Sequence, residues 1–327
     1  MNDSGLGRTE PGSSLASVLA AGPLVLDGGL STELEQQGHD ISGRLWSARL
    51  LNDAPEAVVE AHAAFLRAGA QVITTASYQA TPEGFVRAGL AASDGEAMLR
   101  RSVELARRAV DEMGDGRHGP LWIAGSVGPY GTLLADGSEY TGDYGDGVNL
   151  QRLRDFHRPR LEILAAAGVD VLAAETVPSL IEVEALLLEL AALGHPAWLS
   201  LTTTIDGAGV VRSRRGEPAA EAFAMAAEVD AIVAVGINCT DPAGLSAAIE
   251  LAAATSGKPV VAYPNSGEGW DATARSWTES PPGGTGFSGS AVDDWLRSGA
   301  GLIGGCCRVG PDLIADIARR CAVALGG

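Results

Sequence analysis

Three cysteines are the residues in this chain best suited to chemistry. Cys306 and Cys307 are adjacent and follow the apolar pair Leu302-Ile303 and the glycines Gly304-Gly305. Cys239 ends a second apolar run, Ala231 to Ile237, just after Asn238. Neighbouring cysteines rarely bond to each other, because the bridge would strain the backbone between them. In a reducing compartment such thiols stay reduced or serve a metal. Three thiolates that met would leave a tetrahedral ion one open place. A guest thiol suits that place, since a free thiol has a pKa near ~8.5 and a bound metal ion strips its proton. Such a site alkylates a thiol and does not split water. The spacing resembles no local C-x-x-C motif, so from spacing alone a metal and buried reduced thiols stand level. The fourth cysteine, Cys321, lies among apolar residues near the end and reads as a small buried apolar group.

The fold must bring Cys239 to the tandem pair. Short apolar runs alternate with longer amphipathic ones along the chain, which predicts a parallel α/β sheet. Eight runs read as strands: Leu24 to Asp27, Gln71 to Ala76, Leu121 to Ser126, Val169 to Ala174, Ala197 to Leu201, Ala231 to Ile237, Pro259 to Tyr263 and Gly301 to Gly304. Helices are expected at Pro55 to Ala70, Ser93 to Met113 with Ser93 as N-cap, Val148 to Ala167 with a kink at Pro159, Ser179 to Leu193, Glu217 to Glu228, Pro242 to Thr255, Ala291 to Arg297 and Pro311 to Leu325. Residues 127–146 and 264–286 read as long functional loops. Eight strand-helix units predict a single (β/α)8 TIM barrel over residues 22–327. A doubly wound sheet is the alternative, but no G-x-G-x-x-G follows a strand. In a barrel the residues past each strand converge on one mouth. Those positions carry Asp27, Tyr78, Ser126, Glu175, Thr203, Cys239, Asn265, Cys306 and Cys307.

The chain has 327 residues, 46% hydrophobic, enough for a well-buried enzyme domain. A net charge of −18 argues against nucleic acid or an anionic membrane as partner. Four cysteines are too few for a disulfide framework. Residues 1–21 lack the basic start and apolar core of a secretory signal and read as a disordered tail. No stretch reads as a membrane span. The expected location is the cytoplasm.

Several motifs together resemble the homocysteine S-methyltransferase family, especially the branch that uses S-methylmethionine. They are Asp27-Gly28-Gly29, Leu45-Trp46-Ser47-Ala48, Thr75 to Ala80, Gly125 to Gly131, Phe156-His157-Arg158-Pro159-Arg160, Glu175-Thr176, Gly236 to Cys239, Tyr263 to Gly267 and Gly304 to Arg308. The resemblance runs from about Leu24 to Ala318 and implies a (β/α)8 barrel whose zinc ion (Zn2+) is held by Cys239, Cys306 and Cys307. It implies that Asp27 and Glu175 contact the amine of L-homocysteine, and two carboxylates at one mouth do suit an ammonium. It also implies that Gly28 and Gly29 offer N–H groups near the substrate carboxylate.

The implied donor is cationic, and cations favour aromatic faces. Trp46 and Tyr78 match aromatic positions near the donor in betaine-using relatives. Ser77-Tyr78 and Glu175-Thr176 replace the Phe-Tyr and Glu-Tyr of that branch, which weakens betaine and leaves S-methylmethionine first, with betaine or S-adenosylmethionine as alternatives. Asn238 and Asn265 either orient substrate or satisfy loop backbone. His157, without a partner in sequence, reads as structural. A redox or zinc-sensing barrel using Cys306 and Cys307 is the rival of a different class, and a non-catalytic thiol-binding barrel is a third reading.

Overall fold

The computed structural model describes residues 14–40, 50–114, 119–267, 270–271, 276–277 and 286–325. Eight parallel strands form its centre: β1 (Leu24–Val25), β2 (Val72–Thr74), β3 (Trp122–Val127), β4 (Val171–Val177), β5 (Ala197–Leu201), β6 (Ile232–Asn238), β7 (Val260–Tyr263) and β8 (Ala300–Ile303). Each strand pairs with its neighbours in chain order, and β8 returns to β1 through Leu24↔Leu302 and Val25↔Ile303. The bridge Leu26↔Val72 joins β1 to β2 and closes the ring. Closure excludes the doubly wound alternative. It also sets β6 and β8 on either side of β7, so the two cysteine-bearing strand ends open at the same mouth.

The period of two along each strand sorts side chains between two cores. Leu24, Leu26, Trp122, Ala124, Val171, Ala173, Trp198, Ala234 and Val261 fill the barrel interior. Val25, Ile123, Leu172, Leu199, Val235 and Ile303 face the surrounding helices. The same parity carries the inward rows upward to Ser126, Glu175, Ser200, Asn238 and Tyr263. All five are buried. The barrel is thus apolar below and polar at its mouth.

Local sequence explains most helix ends. Asn149 caps Leu150–Ala166 by accepting from Arg152 N at 2.9 Å. Gly69, at φ 113°, ends Pro55–Ala68 in the left-handed conformation that glycine tolerates. The expected cap at Ser93 is not used: the helix spans Ala92–Met113, and the Asp94 carboxylate instead accepts from Ala91 N at 3.0 Å. Pro159 lies inside the continuous helix Leu150–Ala166.

Two expectations need correction, and one element is new. Residues 1–21 are not a tail throughout: Leu15–Leu19 is a short helix, capped by Ser14. Its Leu15, Val18 and Leu19 join the barrel-interior core, so these apolar side chains gain by covering it. The loop 127–146 contains a helical turn, Gly131–Leu134, and a 3-10 turn, Ser138–Tyr140. After β5 an unforeseen antiparallel hairpin pairs Thr203–Ile205 with Val211–Ser213. Its tip is held by Asp206, whose carboxylate accepts from Ala208 N and Val210 N at 2.9 and 3.0 Å. No described helix is long and apolar enough to cross a membrane.

Replacing Leu19 by Ala is expected to cost about 2 kcal/mol, at the low end for a leucine at the rim of a core. Urea unfolding should show a lower midpoint at unchanged slope. An unmoved midpoint would mean that the short helix does not seal the barrel.

Candidate active site

The three thiols meet. Cys239 Sγ lies 3.8 Å from Cys307 Sγ, and Cys306 Sγ lies 3.9 Å from Cys307 Sγ. All three sulfurs fall within 4.8 Å of one another. Sulfurs at Zn–S distances of ~2.3 Å on a tetrahedron stand roughly 3.8 Å apart, so this donor set fits a soft tetrahedral ion. The thiols cannot easily ionise together without one. Hydrogen bonds from Cys306 and Cys307 hold the Cys239 thiol well below its usual pKa, while those shared with Cys239 push Cys306 and Cys307 up. Cys321 is buried elsewhere, and burial pushes its pKa up to about 12, as suits an inert apolar position.

Backbone strain and a tight web of hydrogen bonds place the sulfurs. Cys239, Arg308 and Thr176 have φ of 48°, 63° and 60°, values that non-glycine residues rarely adopt. Cys239 N donates to Tyr263 O, and Thr202 Oγ1 donates to Cys239 O at 3.1 Å. The tandem pair is held by Cys306 N to Pro264 O at 2.8 Å and by Arg308 N to Thr32 Oγ1 at 2.9 Å. Asn265 does not line the cleft. Its Oδ1 accepts from Cys307 N at 3.2 Å, so its part is to fix the cysteine loop. Asn238 does line the cleft, yet its side chain is largely spent on structure. Its Oδ1 accepts from Thr176 N and Ser200 Oγ at 2.7 and 2.8 Å, and its Nδ2 donates to Thr176 Oγ1 at 2.7 Å.

Asp27 and Glu175 both open onto the cleft with Gly28, Tyr78 and the cysteines. Asp27 Oδ2 accepts from Thr74 N at 2.7 Å. Burial pushes the Asp27 pKa well up, against the Thr74 bonds, and the charge of Glu175 adds to the rise. Glu175 accepts from the Ser126 hydroxyl and, at 3.0 Å, from Tyr263 OH, which in turn accepts from Trp198 Nε1 at 3.0 Å. Burial raises the Glu175 pKa to about 7 despite these donors. Two carboxyls under mutual strain, with no Lys, Arg or His among the described lining residues, form a place for a cation.

Gly28 and Gly29 serve first as points of close approach. A Cβ on Gly29 would sit 2.5 Å from Cys306 O, and one on Gly28 would sit 2.3 Å from Val309 O. Gly29 N already donates to Val309 O at 2.9 Å, which corrects the expectation that it serves a ligand carboxylate. The Gly28 N–H has no protein acceptor among the described residues.

Tyr78 lines the cleft as expected, while Trp46 lies outside the described residues. Tyr140 was not foreseen. Its hydroxyl stands 3.9 Å from Cys239 Sγ, delivered by the 3-10 turn Ser138–Tyr140. Nothing local in sequence marked it, beyond its place in a tyrosine- and glycine-rich loop. His157 is structural: its Nε2 meets Glu182 Oε1 and its Nδ1 meets Arg160 Nη2, both at 2.8 Å. Glu182 also accepts from Tyr130 N and Tyr144 OH at 2.6 and 2.5 Å, so this buried network anchors the loop that brings Tyr140 to the cleft.

A family model described as homocysteine S-methyltransferase matches residues 24–321. A selenocysteine methyltransferase of Astragalus bisulcatus is 44% identical to the chain over 310 residues, covering 90% of each protein. Homocysteine S-methyltransferase 4 of Zea mays is 45% identical, over 92% of this chain and 90% of its own. The crystal structure of the homocysteine methyltransferase MmuM from Escherichia coli in its metallated form is similar at a TM-score of 0.81 and 39% identity, covering 94% of this chain and 99% of that one.

The Glu175 pKa, raised from 4.5 to about 7, makes the metal-free, ligand-free protein lose stability as pH rises through that window. The protonated carboxyl is favoured in the folded state, so its contribution is complete below pH 4.5 and gone above 7. The expected fall is on the order of 3 kcal/mol. Glu175→Gln should flatten the profile from urea unfolding at stepped pH. A slope unchanged in the variant would assign the effect to another group.

Proposed function

The chain belongs to the homocysteine S-methyltransferase family and transfers a methyl group to homocysteine; we propose that it does so as a zinc enzyme, with Cys239, Cys306 and Cys307 as ligands and S-methylmethionine as donor. The observation that carries this reading is the approach of three sulfurs to within 4.8 Å in a cleft whose described lining has no positive side chain. Zinc bound there would offer its fourth position to the substrate thiol and lower that thiol's pKa into the neutral range.

The chain's own residues do the rest. Asp27 and Glu175 receive the homocysteine ammonium, which relieves their mutual repulsion and lets both stay ionised. The Ser126 hydroxyl and Tyr263 OH hold the Glu175 oxygens in place. The free N–H of Gly28 faces the substrate carboxylate. Tyr78 and Tyr140 offer aromatic surface to a sulfonium beside the thiol. The substrate thiolate attacks the methyl carbon in line as the bond to the sulfonium sulfur breaks. Opposite charges cancel as the bond forms, so no general base acts in the transfer, and orientation is the main contribution of the protein. With S-methylmethionine as donor, both products are methionine.

The likeness to a selenocysteine methyltransferase favours a second acceptor, a selenol in place of the thiol at the same position. The redox reading draws on the same tandem pair, whose thiols are free.

Protein purified without oxygen should hold one tightly bound zinc per chain, and zinc-free reduced thiols would favour the redox reading. Cys306→Ala or Cys307→Ala should lose zinc and methionine formation together. Full turnover by a metal-free Cys306→Ala protein would refute the mechanism. A panel of S-methylmethionine, betaine and S-adenosylmethionine, read by methionine formation from homocysteine, should give S-methylmethionine the highest kcat/KM.

A further inference from the structure

The cleft accounts for positive charge on its ligands but not for all of their negative charge. Asp27, Glu175 and three thiols face it, and no described lining residue is cationic. Homocysteine brings one carboxylate, and an amino-acid donor would bring a second. The second carboxylate needs a cation at the rim.

Arg214 is placed for this. It follows the hairpin strand Val211–Ser213 above β5 and is exposed. Its Nε donates to Thr202 Oγ1 at 3.2 Å, and that hydroxyl donates to Cys239 O at 3.1 Å. One threonine therefore links the guanidinium to the backbone of a thiol ligand.

Its neighbours are all committed. Arg212 pairs with Asp206, and Arg215 with Asp143 at 3.2 Å. Farther off, Arg154 and Arg158 share Glu189, and Arg320 pairs with Asp293 and Asp316. No such carboxylate pairs with Arg214 among the described residues, in a chain with 41 acidic residues against 23 basic ones. Its terminal nitrogens have no hydrogen-bond acceptor among those residues either. Arg215 meanwhile donates to Gly142 O at 3.1 Å, which ties the hairpin to the loop bearing Tyr140 and steadies this side of the mouth.

We propose that Arg214 receives the carboxylate of the methyl donor, and so selects a sulfonium amino acid over a bare sulfonium. This rests on the cationic-donor reading above. A guanidinium grips a carboxylate through two parallel hydrogen bonds, and with Nε held by Thr202 its two terminal nitrogens remain for that grip. The donor is then fixed at both ends, its carboxylate at the rim and its methyl at the thiol.

The test compares wild type, Arg214→Ala and Arg214→Lys with two donors, S-methylmethionine and dimethyl(propyl)sulfonium, which lacks carboxylate and amine. Arg214→Ala should raise KM for S-methylmethionine roughly tenfold to a hundredfold, the usual worth of a charge-assisted pair. It should leave KM for homocysteine and kcat/KM for the bare sulfonium unchanged, and Arg214→Lys should restore part of the loss. An unchanged KM for S-methylmethionine would overturn the assignment. So would a rise for homocysteine alone, which would give Arg214 to the acceptor, or an equal loss with both donors, which would make the Thr202 contact merely structural. Wild-type turnover with S-methylmethionine bears separately on the donor reading. Calorimetric titration with S-methylmethionine needs no turnover: binding at least tenfold tighter to wild type than to Arg214→Ala supports the role, and equal binding or none to either protein ends it.

Discussion

Three thiols packed beside two buried carboxyls are a concentration of groups that repel one another once ionised. That conflict governs the site. The Cys239 thiol is held low in pKa chiefly by hydrogen bonds from Cys306 and Cys307, and Asp27 and Glu175 both rise in pKa because burial penalises their charge. Positive charge brought from outside the chain would relieve that conflict. In the reaction proposed above, the metal ion, the ammonium of homocysteine and the sulfonium of the donor would each bring such charge. The site is organised for its guests rather than for its own stability.

Holding such a site open requires a rigid frame, and the barrel supplies it in two ways. Its interior is filled by large apolar side chains below, with Trp198 fully buried and hydrogen-bonded upward to Tyr263. Above that layer the side chains bond to each other across strands: Ser126 to Glu175, Tyr263 to Glu175, Ser200 and Thr176 to Asn238. These cross-strand bonds support residues in uncommon backbone conformations, notably Cys239 and Thr176. Strain of this kind persists only where surrounding contacts over-determine it. Glu175 on β4 is therefore fixed by Ser126 of β3 and Tyr263 of β7, Asp27 by Thr74 of β2, and the sulfurs by loops pinned to the strand ends.

Much of the site was legible in sequence because its parts are local. Asp27 and Glu175 stand where strand runs end, and inward parity alone puts Glu175 on the face of Val171 and Ala173. Asn238 and Asn265 were readable as polar residues at strand ends, but which groups their amides would meet was not. Gly28 and Gly29 announced a close approach of backbone, yet what approaches is the cysteine loop itself. Tyr140 and Arg214 lay hidden for one reason: each sits on irregular or hairpin structure after a strand, where neither helical nor strand periodicity says which way a side chain turns. Leu15–Leu19 was missed because five residues are too few to show a period.

The order of elements, the count of strand-helix units and the chemical type of each candidate group follow from the sequence by itself, because hydrophobic period and residue identity are properties of neighbouring residues. Tertiary structure alone decided that Cys239 stands beside a pair 67 and 68 residues later (306 − 239 and 307 − 239), and that burial raises the Glu175 pKa to about 7. Distance and dielectric environment arise from closure of the ring. No segment carries them before β8 meets β1.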